Sequence, residues 1–214
     1  MKINRFFQYL VLSFFCLTAD LSTAQTIDTS FAGPYYLKRV AYFEALPEKK
    51  NAIVFLGNSI TEVGQWSELF TDPNIINRGI SGDVTYGVLN RLPFILSQKP
   101  KKIFLAIGVN DIKRGASINE ISRNHERIIK LIRENSANTK LYVQSILPVN
   151  EVMLADIYAK ITNDRVAKAN EKLKEEYDTI NSKLNQSKNE FLKLLQPLLG
   201  IKEILIEKEI VSVF

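Results

Sequence analysis

The chain has 214 residues, of which 46% are hydrophobic and 24% are charged. This length and balance fit one globular domain better than two and exclude a low-complexity chain. The formal net charge is +5, but the basic residues are spread along the sequence without a run of five or six like charges. This distribution argues against a nucleic-acid partner.

The first residues have the pattern of a secretory signal peptide. A basic start precedes an apolar run from Phe6 to Leu17, and small residues follow at 22–24. The run is shorter than the roughly 20 apolar residues that a membrane-spanning helix needs, although a short membrane anchor is the alternative. We therefore expect residues 1–24 to be removed, leaving 25–214 as a secreted or periplasmic domain without stable membrane insertion.

Strands and helices are predicted to alternate from residue 51 to residue 146, after a leading helix and loop within 26–50. The strand segments are β-branched or aromatic runs that end at a glycine or a proline. Ser117 and Glu120 form a capping box that begins one of the helices. The predicted strands are 51–56, 74–77, 102–107 and 140–146, and the predicted helices are 62–70, 86–97 and 117–134. This alternation predicts an α/β fold with a parallel sheet covered on both faces.

The composition changes near residue 151. From there to the last residue there is one glycine, Gly200, and one proline, Pro197. The pattern predicts helices over 164–177 and 181–195 and a closing strand within 203–214. The loops that would carry chemistry after this strand are not recognisable.

Polar and glycine-rich segments follow each of the first three strands. They are 57–61 (Gly-Asn-Ser-Ile-Thr), 77–83 (Asn-Arg-Gly-Ile-Ser-Gly-Asp) and 108–111 (Gly-Val-Asn-Asp). Ligands of open α/β sheets bind at the carboxyl ends of the strands, so these segments should meet at one edge. Ester hydrolysis needs a nucleophile and donors for the developing oxyanion. Ser59 could supply the hydroxyl, and the backbone N–H groups of Ser59 and Gly82 and the Asn110 amide could supply the donors.

These three segments resemble the three ordered sequence blocks of the SGNH (GDSL) hydrolases, and the resemblance covers about residues 52–150. Within the family, the chain is most similar to bacterial enzymes related to platelet-activating-factor acetylhydrolase and to sialate O-acetylesterases. The resemblance implies a three-layer, flavodoxin-like fold. It makes Ser59 the nucleophile and Gly82 and Asn110 the oxyanion donors.

The same resemblance implies a function. The family reaction is hydrolysis of a carboxylic ester through a seryl acyl-enzyme, here with a small acyl group such as acetyl, without a metal or organic cofactor. The substrate would be a small-molecule ester, with acetylated carbohydrate and acylated lipid as the candidates. The competing interpretation is a catalytically silent secreted domain that binds such molecules.

Other enzyme classes do not fit the motifs. A nucleophile elbow of the α/β-hydrolase type needs glycine where Thr61 stands. Neither a triphosphate-binding G-x-x-x-x-G-K-[ST] nor a dinucleotide-binding G-x-G-x-x-G after a strand is present in the 214 residues. The sequence also has no histidine and cysteine cluster for a transition metal.

Each site residue also has a purely structural interpretation. Ser59 could be only a helix N-cap, and Asn110 and Asp111 could be only turn formers. Gly79 and Gly82 could serve loop geometry alone. Two charged neighbours, Arg78 and Asp83, are expected to stabilise the loop rather than touch substrate.

The family completes its site with an Asp-x-x-His after the last strand, and this pattern is missing here. The only histidine, His125, has Ser122 three residues before it and lies on the apolar side of a predicted helix. We expect it to be a packed structural residue and not the catalytic base. Three explanations stay open: an altered end of an ordinary esterase, a diverged binding domain, or a carboxylate such as Asp156 or Asp164 as base.

Overall fold

A computed structural model describes residues 29–199 and 210–213, with side chains described through residue 186. The predicted signal peptide, residues 1–24, lies outside this part, as do residues 203–209 and 214 of the predicted closing strand. The helices are α1 Pro34–Ala45, α2 Ser59–Glu62, α3 Trp66–Leu69, α4 Thr85–Ser97, α5 Val109–Arg114, α6 Ile118–Asn135 and α7 Asn163–Leu199. The strands are β1 Ile53–Gly57, β2 Ile75–Gly79, β3 Lys102–Ala106, β4 Lys140–Gln144 and β5 Ile210–Val213.

The strands form a parallel sheet in the order β2-β1-β3-β4-β5. In its register, Gly57 at the end of β1 pairs with Gly79 of β2 and with Ala106 of β3. The carboxyl ends of these strands therefore lie side by side at one edge. The predicted α/β fold with a parallel sheet and flanking helices is confirmed.

The two faces of the sheet are covered to different extents. On one face, alternate strand residues such as Leu56, Leu105 and Val143 are fully buried in a core that also contains residues of α4, α6 and α7. The half-buried aromatic residues Phe55, Phe104 and Tyr142 stack across the strands of the other face, and Trp66 of α3 lies 4.0 Å from Phe55 between ring centroids. In the described residues, α3 thus contributes one aromatic layer over this second face.

Two predicted element boundaries are wrong. The helix predicted over 62–70 is two short helices, because the Asn77 amide donates to the carbonyl groups of Thr61, Glu62 and Gly64 and so ends α2. The two helices predicted over 164–177 and 181–195 are one helix, α7. No glycine or proline interrupts the junction, and Lys174 pairs with Asp178 at 3.0 Å on the helix surface.

The remaining predictions for the strands and helices agree with the structure to within a few residues. Ser117 is the N-cap of α6, and its hydroxyl accepts a hydrogen bond from the Glu120 N–H, as the capping box predicts. The described part of the closing strand is Ile210–Val213, and it pairs in parallel with β4.

Candidate active site

A buried ion pair joins the first strand ends. The Arg91 guanidinium donates to the Asp83 carboxylate at 2.8 and 3.0 Å, and both side chains are almost completely buried. Arg91 also donates to the carbonyl groups of Gly57 at 3.1 Å and Arg78 at 2.7 Å. One side chain therefore holds the ends of β1 and β2 and the loop that follows β2.

Ser59 is the first residue of α2, two residues after β1 ends. Asn58, not Ser59, is the N-cap, because the Asn58 Oδ1 accepts a hydrogen bond of 2.9 Å from the Ile60 N–H. Within residues 29–186, no side-chain or backbone group forms a hydrogen bond with the Ser59 hydroxyl. The helix-capping interpretation of Ser59 is therefore wrong, and its half-buried hydroxyl is left for another partner.

Glu62 connects the helix of Ser59 to the loop of Gly82. Its carboxylate accepts hydrogen bonds from the Ser81 N–H at 2.6 Å, from the Ser81 hydroxyl and from the Tyr35 hydroxyl at 2.6 Å. Arg39 of α1 lies 2.9 Å from the same carboxylate. Burial by itself raises the pKa of Glu62, but the hydrogen bonds from Ser81 and Tyr35 outweigh burial and lower it. The carboxylate is thus charged in the neutral range and fixes the loop before Gly82.

Two positions of the site are occupied by glycine for different structural reasons. Gly82 has φ +80°, a left-handed backbone conformation that favours glycine, and a Cβ placed there would meet open space. Gly79 lies under α2, where a Cβ would collide with the backbone of Glu62. The open space above Gly82 would let a ligand approach its backbone, whereas Gly79 serves packing.

Asn110 reaches the same loop from the end of β3. Its Nδ2 donates to the Asp83 carbonyl at 2.9 Å, which places the amide next to Gly82. An amide nitrogen has two hydrogens, so one of them remains for a ligand. The backbone N–H groups of Ser59 and Gly82 likewise donate to no backbone carbonyl in the described part of the chain. The predicted donors therefore belong to segments that hydrogen bonds tie together at one edge.

The buried Asp111 side chain stabilises the loop of Gly82 and Asp83 from the protein interior. Its buried carboxylate accepts hydrogen bonds from the N–H of Thr85 at 3.1 Å and from the Thr85 hydroxyl at 2.5 Å, and the Asn124 amide donates to that hydroxyl. Burial raises the pKa of Asp111 to about 7, although the hydrogen bonds from Thr85 act in the opposite direction. Asp111 is thus more than a turn former, because it joins α5 to the start of α4.

A small cleft opens beside Ser59, at the carboxyl ends of β1, β3 and β4. Its volume is about 30 Å³. Most of its lining is aliphatic, with a few polar groups near β1 and β4: Asn58, Ile60, Ala106, Ile107, Val109, Gln144, Ser145, Ile146 and Leu147. An apolar group of modest size next to a polar reacting centre would fit this lining.

His125 lies in the interior between α6 and α7, next to the backbone of Ile107 at the end of β3. Its side chain is buried, and its Nδ1 lies 2.7 Å from the Tyr177 hydroxyl. Burial lowers the pKa of His125 to about 4, so the imidazole is neutral at neutral pH. The expectation of a packed structural histidine agrees with this position. Of the two carboxylates considered as bases, Asp164 forms an exposed ion pair with Lys168 at 2.8 Å, and neither it nor Asp156 lines the cleft.

Sequence reasoning missed the residues that hold the site together. Apart from the Arg91–Asp83 pair, which joins residues eight positions apart, Glu62, Asn77 and Arg91 act through contacts with residues 13 to 34 positions away. Only Arg91 has a local signal, since it is a single charge within the apolar helix α4 and such a charge is buried only with a partner.

Among the side chains of residues 29–186, no group of three or more histidine, cysteine, aspartate and glutamate residues could hold a metal ion. Across residues 29–199 and 210–213, no helix combines the length and the apolar composition that crossing a membrane requires.

The fold and the site place this chain among α/β proteins with a serine at the carboxyl edge of a parallel sheet. Sequence comparison then identifies the family. The model of the GDSL-like lipase/acylhydrolase family matches residues 55–184. An arylesterase from Vibrio mimicus is 31% identical over 157 residues, which are 69% of this chain and 70% of that protein. The chain therefore belongs to the GDSL-like lipase/acylhydrolase family, also called SGNH hydrolases.

Two other similarities agree with this family. The platelet-activating factor acetylhydrolase IB subunit alpha2 from Homo sapiens is 33% identical over 110 residues, 49% of this chain and 47% of that protein. The matched region thus spans about half the length of that relative. A solved structure from Streptococcus pneumonia, named for platelet activating factor, is 27% identical with a TM-score of 0.59, and the match covers 83% of this chain and 78% of that one.

Proposed function

We propose that this chain is a serine-type carboxylic ester hydrolase in which Ser59 holds the nucleophile position. The observation that carries the proposal is the setting of Ser59. It follows a strand end by two residues, Asn58 caps its helix, and its hydroxyl has no hydrogen-bond partner within residues 29–186. Acyl transfer to serine requires such a hydroxyl beside donors for an oxyanion.

The oxyanion would be held by the N–H groups of Ser59 and Gly82 and by the Asn110 amide. The support for these roles is that the three groups come from segments that Arg91, Glu62 and Asp83 hold together by hydrogen bonds. Donors that are fixed before the reaction stabilise the transition state without reorganising.

The acyl group would be small, with acetyl as the leading candidate. The cleft beside Ser59 has a volume of about 30 Å³ and an aliphatic lining, which is far below the roughly 300–1,000 Å³ of pockets for drug-sized ligands and favours the smallest acyl groups. The family indicates a small-molecule ester as substrate, and acetylated carbohydrate or acylated lipid would be its chemical class here.

We further propose that catalysis in this chain is impaired. The sequence has one histidine, and His125 is buried between α6 and α7 with Tyr177 as its partner. A serine hydroxyl without a base is a poor nucleophile. The same observation favours a second candidate function, a catalytically silent domain that binds acylated ligands at this edge.

The N-terminal sequence supports export as part of the proposal. Cleavage after Ala24 would give a secreted or periplasmic protein beginning at Gln25. Mass spectrometry of exported protein should find an N-terminus at or near Gln25, and recovery of intact chain beginning at Met1 from the membrane would contradict this.

The proposed oxyanion role can be tested through Asn110. Removing one oxyanion donor typically lowers kcat by about 10²–10³-fold. The change Asn110→Ala should therefore reduce the hydrolysis of p-nitrophenyl acetate by up to about 10²-fold, and acetate should react faster than longer acyl esters. Asn135→Ala is the control, because Asn135 is exposed at the far end of α6. Equal rates for the Asn110 and Asn135 variants would contradict the assignment.

A further inference from the structure

A short loop after β4 points large apolar side chains into solvent. The exposed fractions are 95% for Val152, 81% for Met153 and 68% for Ile157. Single exposed apolar residues are common on protein surfaces, but three within six positions form a patch that calls for a partner. We call Val152, Met153 and Ile157 the apolar tip.

The loop that carries the apolar tip is tied to the rest of the domain. Val149 and the Asn163 side chain exchange two hydrogen bonds of 2.9 Å. Arg165 donates to the carbonyl groups of Ile112 and Ala116, and Leu154 packs on the hydrophobic core. The loop is thus anchored at Val149, Leu154 and Asn163, and the apolar tip projects from a structure that these contacts hold in place.

The same loop begins at the cleft beside Ser59. Leu147 lines the cleft and is 46% exposed, and Ile60, directly after Ser59, lines it from the other side and is 51% exposed. Exposed apolar surface therefore occurs both at the cleft mouth and on the loop that continues from it.

Two lysines lie on or beside the loop of the apolar tip, and an arginine lies at the loop of Gly82. The Lys113 ammonium lies 4.2 Å from the centroid of the Tyr158 ring, which follows Ile157 in the sequence. Lys160 is exposed beside Gly115, and Arg114 is exposed with its guanidinium 3.3 Å from the Gly82 carbonyl. The acidic groups of the loop are Glu151, which accepts a hydrogen bond from the Asn163 N–H, and Asp156.

We infer that the apolar tip docks the site onto the surface of aggregated amphiphiles, meaning a lipid vesicle or micelle, with Ser59 facing that surface. This inference rests on the proposed function, which it narrows to acyl esters presented at a lipid surface. The aliphatic side chains would enter the acyl region, and the three cations would lie at the level of the phosphate groups. A second copy of this chain is a less suitable partner for the apolar tip, because a two-fold contact would bring the same cations of both chains together.

Vesicle binding tests the inference without requiring catalysis. The full chain is mixed with phosphatidylcholine vesicles, with and without phosphatidylglycerol, and bound protein is measured by flotation. We expect binding to both compositions and stronger binding to the anionic vesicles. A triple variant carries Val152→Ser, Met153→Ser and Ile157→Ser. Its partition coefficient between vesicles and water should be lower than that of the parent chain by about 10²–10³-fold, since each aliphatic side chain contributes on the order of tenfold.

A matched triple variant supplies the control. The control variant combines Leu37→Ser, Tyr42→Ser and Leu69→Ser, whose side chains are 56%, 52% and 67% exposed at other surfaces. This variant should bind vesicles like the parent chain. Ser59→Ala should also bind normally, which separates docking from chemistry. The inference is overturned if the parent chain does not bind, if both triple variants lose binding equally, or if the tip variant only dissociates a lipid-free dimer. Hydrolysis of soluble p-nitrophenyl acetate would still report on the proposed function in each case.

Discussion

Two buried polar pairs of this molecule serve different regions, and their comparison explains the site. The Asp83–Arg91 pair lies at the carboxyl edge of the sheet and holds the strand ends that carry Ser59 and the loop of Gly82. The His125–Tyr177 pair lies between α6 and α7 and holds two helices together. Both pairs support structure, but only the first pair ties the strand end before Ser59 to the loop of Gly82 by hydrogen bonds.

The difference shows that the two halves of a serine hydrolase site depend on separate parts of the chain. The proposed nucleophile and oxyanion donors come from turns after β1, β2 and β3, which are short and fixed by hydrogen bonds. The base of the family follows the last strand. The one histidine of this chain is instead part of the core, so binding geometry and serine activation are separable properties here.

The largest expected effect is on the stability of the carboxyl edge. Arg91→Met leaves Asp83 buried without its partner and removes donors from two strand-end carbonyl groups. Breaking a buried pair in this way typically costs about 3–5 kcal/mol. Lys168→Met is the matched control, because the Lys168–Asp164 pair has the same 2.8 Å separation as Arg91–Asp83 but is exposed. It should cost at most about 0.5 kcal/mol. Urea unfolding measures the free energy of unfolding of both variants. Similar losses of stability in the two variants would contradict the structural role of the Asp83–Arg91 pair.

The second prediction concerns the pH dependence of the stability that the buried His125 contributes. Burial lowers the pKa of His125 from 6.5 to about 4. The unfolded chain therefore binds more protons between these values, and the contribution of His125 to stability is present above pH 6.5 and lost as the pH falls to about 4. His125→Gln retains a polar partner for Tyr177 but does not titrate. The stability of the parent chain relative to this variant should fall by about 3 kcal/mol between neutral pH and pH 4.

Urea unfolding of the two chains at the same pH isolates His125 from other groups. Asp111 titrates with the opposite sign, because burial raises its pKa to about 7 and its contribution decreases as the pH rises. This contribution cancels in the difference between the two chains. A difference that stays constant from neutral pH to pH 4 would show that His125 is not held in its neutral form by burial.

The smallest stability effect is expected at the link between the Ser59 helix and the Gly82 loop. Glu62→Gln removes the charge that Ser81, Tyr35 and Arg39 contact, and hydrogen bonds to charged groups contribute about 1.5–3 kcal/mol each. We expect a net loss of about 1–3 kcal/mol at neutral pH. Since the pKa of Glu62 is lowered from 4.5, this loss should shrink as the pH falls below that value. Glu68→Gln on α3, where the side chain is exposed, should have no comparable effect.

The sequence predicted more of the site than of what supports it. Ser59, Gly82 and Asn110 could be recognised because they lie in short motifs directly after strands, where local composition carries the signal. Asn77 ends α2 through contacts 13 to 16 residues away, and Arg91 reaches Gly57 across 34 residues. Such pairings depend on how the strands lie side by side, which a periodicity in one segment does not specify. The break predicted between residues 177 and 181 is likewise absent from the continuous α7.

The central claim is that Ser59 stands in a formed site without an activating base. Its most direct test is the turnover of p-nitrophenyl acetate by the parent chain, Ser59→Ala and His125→Ala. Oxyanion donors and binding alone leave a rate about 10³–10⁴ above that of water. We predict a rate of that order for the parent chain, a less than about tenfold loss in Ser59→Ala, and no loss in His125→Ala beyond any loss of stability. Turnover far above this level that collapses in Ser59→Ala would contradict the claim and reveal an active base, with Asp156 and Asp164 the next residues to change.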